Sequence, residues 1–214
     1  MGPNVISTVT TAASSYDLTT LAIVKDELSI TNTDSDATLQ RYLTNASAAA
    51  AQYCNRVFPV EAIKDLFWAQ RDRFPRIIPG GMPALKLSRY PITTVDAVIE
   101  FGVTLVEDTD FKTDAANGEL IRLDVNGYPR LWPIYPIEVD YHAGYSTIPS
   151  DVQDAVVRMV KSRWLARGRD PNLKARTIPG VIEQQWWIAS GTEQGNMTPD
   201  VTDLLDNYRT PVIG

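Results

Sequence analysis

Leu18-Thr-Thr-Leu-Ala-Ile-Val-Lys-Asp-Glu-Leu28, then Asp34-Ser-Asp-Ala-Thr-Leu39 and a run closing on Tyr53-Cys-Asn-Arg56, is the stretch that decides the fold. Leu21, Val24 and Leu28 recur at helical spacing, and Thr19 or Thr20 stands where a capping hydroxyl belongs, which predicts a helix over 19–29. Ile30-Thr-Asn-Thr33 breaks it. Asp34 then caps a second helix, 34–55, whose Leu39, Tyr42, Leu43, Ala46, Ala50 and Tyr53 share one face. At about 1.5 Å per residue this is a rod of roughly 30 Å. Within it, Ala46-Ser-Ala-Ala-Ala-Ala51 is slim enough for another backbone to approach, whether from the first helix, a third helix or a neighbouring subunit.

Upstream, residues 1–16 are rich in Ser, Thr and Ala without a sustained period and read as a flexible arm. Downstream the period changes. Over 57–143, Pro59, Pro75, Pro79, Gly80, Gly81, Pro83 and Pro91 punctuate short runs of Val, Ile, Phe and Tyr. Strands are expected at 63–69, 84–88, 94–101, 111–113, 120–123 and 137–142, with turns at Asn117-Gly118 and Asn126-Gly127. This is an antiparallel β module.

Pro149-Ser150 open a third helix, 150–167, with Val152, Val156, Met159, Val160 and Trp164 on its apolar face. Arg158, Lys161, Arg163 and Arg167 crowd its second half, where cations suit the helix dipole. Residues 169–214 read as an extended arm ending in a short helix, 199–208. That helix is marginal alone, so Val201, Leu204, Leu205 and Tyr208 must dock on the chain's own core or on a partner. The adjacent Trp186-Trp187, followed by Ile188, is either core cover or a partner contact, since tryptophan is enriched in interface hot spots.

Composition narrows the function. The chain has 214 residues, 44% hydrophobic and 21% charged, which suits one globular body with appendages. A net charge of -6 argues against general nucleic-acid binding, which needs Lys and Arg to displace counterions. Cys54, the lone cysteine, excludes an internal disulfide and reads as a small buried residue. The start, Met1-Gly-Pro-Asn-Val-Ile6, lacks the basic and apolar regions of a secretory signal, and Ile6 stands where myristoylation needs Ser or Thr. No apolar run reaches the roughly 18 residues of a membrane span.

Catalytic templates are missing. His142 is the only histidine and lies on a strand beside Tyr141. No nucleophile elbow, phosphate loop or dinucleotide fingerprint is found. Asn32-x-Asp34-x-Asp36 imitates a calcium loop but has Ala37 in place of the glycine and Leu43 in place of the bidentate Glu. Asn45-Ala-Ser47 and Asn196-Met-Thr198 are chance glycosylation matches. No cofactor, metal or catalytic residue is expected. An enzyme reading would have to use Asp140, Tyr141 and His142 near Tyr145, whose spacing suggests no mechanism.

Read in order, these pieces resemble the head-tail connector (adaptor) proteins of tailed double-stranded DNA phages. The matching positions are Leu18–Leu28, Asp36 to Leu39, Tyr53-x-x-Arg56, and Leu87-x-x-Tyr90-Pro91-Ile92 with Val95 and Val98. They continue with Ile137-x-Val139-x-Tyr141-His-Ala-Gly144-Tyr145, Pro149 with Val152, and Leu204-Leu205-x-x-Tyr208-Arg209. The likeness spans 18–209 and rests on order and spacing. The N-terminal arm and residues 169–198 depart from the family's leaner members.

The resemblance implies a fold that is α+β, mainly α: a helical bundle with an inserted antiparallel β module. Residues 17–168 would be the connector domain and 169–214 the arm. It implies a structural virion protein, made in the bacterial host cytoplasm, that forms a homo-oligomeric ring of roughly twelve copies at the neck. The ring would sit beneath the portal, extend the DNA channel and receive a stopper or tail-terminator protein, with DNA passing unread. The portal contact is expected from Trp186, Trp187, Ile188, Leu204, Leu205, Tyr208 and Arg209. A stopper-like or tail-completion ring is the nearest alternative.

Overall fold

The computed structural model describes residues 4–68, 83–133, 136–168, 175–178, 182–185 and 197–210. The chain divides into two compact units, one from residues 1–15 and 57–147, the other from 16–56 and 148–214. The β module is thus inserted between the second and third helices.

The first unit is two facing antiparallel sheets. One runs β1 (Asn4–Thr11), β2 (Glu61–Trp68), β9 (Ile137–Ala143), β4 (Ile92–Glu100), β5 (Val103–Thr104). The other runs β3 (Leu85–Lys86), β7 (Glu119–Leu123), β6 (Phe111–Asp114), with β8 (Pro129–Arg130) also on β7. Strict alternation buries Ile137, Val139, Tyr141 and Ala143 of β9 and sends Glu138, Asp140 and His142 to the other face. Ile63, Phe67 and Val98 join them against Leu85, Phe111, Leu120 and Trp132 of the second sheet and its flanks. The Trp132 indole N–H donates to the Leu120 carbonyl at 2.9 Å, so the largest core ring is also polar-satisfied.

Both Asn-Gly dipeptides form turns. Asp114 accepts from the Asn117 backbone and side chain at 3.1 and 2.9 Å, with Gly118 at φ +66° between β6 and β7. Asp124 accepts from the N–H groups of Asn126 and Tyr128, with Gly127 at φ +79°.

The second unit holds α1 (Leu21–Glu27), α2 (Asp36–Cys54), α3 (Ser150–Leu165) and α4 (Pro199–Leu205), with a hairpin of β10 (Ala175–Ile178) and β11 (Ile182–Gln185). A 3-10 turn extends α3 through Gly168 and another extends α4 through Tyr208. Thr20 caps α1, accepting from the Ile23 N–H at 3.4 Å. The slim stretch of α2 receives the lead into α1: the buried Ser47 hydroxyl accepts from the Leu18 N–H at 3.0 Å.

Several expectations are corrected. The class is α+β, but the described strands hold as many residues as the helices, so a mainly α fold is not found. Residues 4–11 form a strand where an arm was expected, because Val5, Ile6 and Val9 with interspersed Ser and Thr pair along β2. Ser35, not Asp34, is the N-cap of α2. Asp36 stands in the first turn, where the helix dipole favours an anion, and ion-pairs with Lys25 at 2.7 Å. Cys54, rather than Tyr53, completes the buried face of α2.

Candidate assembly surfaces

Polar side chains gather inside the β unit, and the geometry there fixes structure. Asp65, fully buried on β2, accepts from the Ser88 N–H and hydroxyl at 2.8 Å each and from the Tyr141 hydroxyl at 2.9 Å. The Arg89 N–H donates to the same Tyr141 oxygen at 3.2 Å, and the Arg89 guanidinium pairs with buried Glu61. Burial pushes the Tyr141 phenol above its ordinary range, and the neighbouring Asp65 carboxylate pushes it further. A neutral phenol donating into a saturated carboxylate ties the Leu87–Tyr90 segment to β2 and β9. At the far end of the unit, Arg122 donates through Nε and Nη2 to Glu100 at 3.1 and 2.8 Å, both side chains buried.

The residues of the enzyme reading do not converge. Tyr141 faces the core, while Asp140 and His142 lie on the opposite face, where His142 Nε2 is 3.2 Å from an Asp96 oxygen. Tyr145 stacks on Phe58 with centroids 5.9 Å apart. No group of three or more His, Cys, Asp or Glu able to hold a metal occurs among the described residues. No helix there is long and apolar enough to cross a membrane.

The terminal helix docks on its own unit. Val201 and Leu205 are buried, the Cys54 thiol donates to the Leu205 carbonyl at 3.6 Å, and the Tyr53 hydroxyl donates to Asp206 at 2.6 Å. Burial pushes the Cys54 thiol up to about 11. That same hydrogen bond to Asp206 raises the Tyr53 phenol. At the start of α4, the hydrogen bond from the Thr198 side chain, and then Arg158 at 3.3 Å, hold the Asp200 carboxyl below its usual range.

Of the expected contact residues, Leu205 is therefore internal. Leu204 and Tyr208 are half-buried, and Arg209 is exposed with its guanidinium over the Tyr53 ring at 5.3 Å. Trp186, Trp187 and Ile188 lie outside the described residues. What sequence reasoning missed is the set of exposed apolar side chains at the two ends of the five-stranded sheet: Val5, Ile6 and Val9 at one, Val103 and Val106 at the other. The signal was present as two charge-free stretches, 1–16 and 101–106.

Comparison with known proteins bears on this architecture. Residues 18–77 match the family model of the phage gp6-like head-tail connector protein, over α1, α2, β2 and the residues beyond it. The resemblance carried by the sequence motifs is thus found independently in the N-terminal part of the chain. No curated protein matches. Among solved structures, the fold is similar to a chain in the neck of an empty GTA particle computed with C6 symmetry, with 18% identity, 97% of each chain covered and a TM-score of 0.54. It is equally similar to one in the neck of a native GTA particle computed with C12 symmetry, at 20% identity, 97% of each chain and 0.54. A chain from the virion of a native gene transfer agent (GTA) particle matches at 19% identity, 97% of each chain and 0.52.

Proposed function

We propose that this chain is a structural protein of a virion neck, a head-tail adaptor that assembles head-to-tail as a ring of about twelve copies. The observation that carries this reading is the connector-family match over 18–77, on a fold shared along 97% of its length with chains of phage-like particle necks. A cyclic ring needs two different complementary patches per copy, and a chain with exposed apolar positions at both ends of one sheet is built for that.

In this role the ring sits beneath the portal, extends the DNA channel and offers a platform to a stopper or tail-terminator protein. The net charge of -6 suits a conduit, because a lumen that held phosphates tightly would slow genome exit. The portal-facing element is the C-terminal arm. Trp186, Trp187 and Ile188 supply its apolar anchors, together with Leu204, Tyr208 and Arg209. Leu205 drops out of that set because it is part of the helical core.

The test is capture, on immobilised portal protein, of the full-length chain and of its Trp186→Ala, Trp187→Ala variant, which keeps Val201 and Leu205 in the helical core. The unaltered chain binds and the double variant does not. Equal capture of both refutes the arm's role. Capture only on tail-tube protein moves the chain to the stopper-like reading, which the balance of strand and helix also accommodates.

A further inference from the structure

Sheets end in open backbone edges, and folded proteins ordinarily guard such edges with charge, proline, bulges or brevity. The five-stranded sheet here is guarded unevenly. β4 carries Asp96 and Glu100 and two bulges. β1 is eight residues long, has a single bulge near its C-terminal end, and carries no charged side chain. At the opposite end of the sheet, β5 has brevity as its one guard: it is two residues long and uncharged, within the uncharged stretch 101–106. Among the described strands, β1 and β5 alone lack a charge, and they are the two edges of one sheet.

The register adds a second observation. Val5 and Val9 stand opposite Phe67 and Ile63, both buried, so they share the sheet's core-facing side, yet they are 37% and 39% exposed. Val103 stands opposite buried Glu100 on that same side and is 62% exposed. At the β1 end the apolar core face therefore runs past its cover, and at the β5 end Val103 stands exposed beside the Glu100–Arg122 pair. Among the described residues no strand lies beyond β1 or β5.

We propose that these two edges are the copy-to-copy contact: the open edge of β1 in one copy adds to the short β5 edge of the next, with Val103 seated on the row that Val5 and Val9 form. The inference rests on the ring reading. The occupant is a second copy because each copy presents one long and one short uncharged edge, two unlike patches that complement each other. Both edge strands are free of charge, so a copy of this net-acidic chain can seat its neighbour's edge there without setting its own carboxylates against another's. Joining unlike edges also yields a heterologous contact, the kind that closes rings, whereas β1 against β1 would stop at a two-fold dimer.

The experiment places a guarding lysine on each edge, Val9→Lys and Val103→Lys, in the full chain. Particle mass is then read under the condition in which the unaltered chain forms its ring, alone or on portal protein. Each variant alone stays monomeric. Their equimolar mixture gives a dimer and nothing larger, because only one intact pair of edges remains. Rings from both variants, or self-dimers of Val103→Lys, overturn the edge contact while leaving the ring reading intact. An unaltered chain that never leaves the monomer overturns the ring reading and this inference with it. Should a lysine variant lose its circular dichroism, the double variants Val5→Cys, Val103→Cys and Val9→Cys, Val103→Cys, each oxidised with copper–phenanthroline, decide instead. A ladder of disulfide-linked chains in either supports the contact, and monomers only in both overturn it.

Discussion

Replacing Gly144 by alanine isolates one close backbone approach. Gly144 follows β9 at φ +131° and donates its N–H to the Pro91 carbonyl at 2.9 Å, while Tyr145 N–H donates to Phe58 at 2.7 Å. A Cβ there would stand 2.4 Å from the Pro59 oxygen, 2.6 Å from its carbonyl carbon and 2.8 Å from Val60 Cα. All three are backbone atoms, so no rotamer change relieves the clash. The left-handed φ costs an alanine about 1–3 kcal/mol. Moving the backbone aside weakens two hydrogen bonds worth about 1 kcal/mol each. The loss expected is about 3–5 kcal/mol. Gly102→Ala is the control, since φ is +76° there but nothing lies within 4 Å, leaving a conformational cost of about 1–2 kcal/mol. With a urea slope of about 2 kcal/mol/M, Gly144→Ala should unfold roughly 0.5–2 M earlier than Gly102→Ala. Urea titration by circular dichroism reads the midpoints, and hydrogen exchange of β9 amides locates the weakening. Equal midpoints would refute the steric argument.

Asp65→Ala takes the acceptor from the Ser88 N–H and leaves the Tyr141 and Ser88 hydroxyls only each other and Ser7, and should cost about 1–3 kcal/mol. A urea midpoint unchanged from the parent would contradict the buried network. Leu205→Ala, emptying a fully buried site, should cost about 2–4 kcal/mol, against under about 1 for half-buried Leu204→Ala, as read by thermal unfolding. Cys54 should resist thiol reagents at pH 8 in the folded chain and react at once in denaturant. With its pKa raised to about 11, an unfolded thiol ionises first, so stability falls as pH climbs from the ordinary thiol value toward 11. Rapid labelling of the native chain at pH 8 would contradict that burial.

The helices were legible because each carries its own period: Leu39, Leu43, Ala46 and Ala50 announce a buried face without reference to anything distant. The β9 strand was legible for the same reason, its alternation being strict. β1 was not. An edge strand of Ser, Thr and Val has no fully buried face, and its partner β2 begins fifty residues after β1 ends. The cap of α2 was misplaced by one residue because Asp34, Ser35 and Asp36 are all competent and the tertiary pair with Lys25 decides. At the terminal helix, periodicity found Leu204, Leu205 and Tyr208 but not which of them the chain's own core would take. The sheet edges carried a compositional signal, an absence of charge, that means little until the topology shows the two stretches to be the ends of one sheet.

The neck-ring reading is tested most directly by the mass of the purified full-length chain over a concentration series, first alone and then mixed with portal protein. It predicts a discrete closed particle of about twelve chains, each of 23.8 kDa, in one or both conditions. A 23.8 kDa monomer at every concentration, with and without portal, would contradict it.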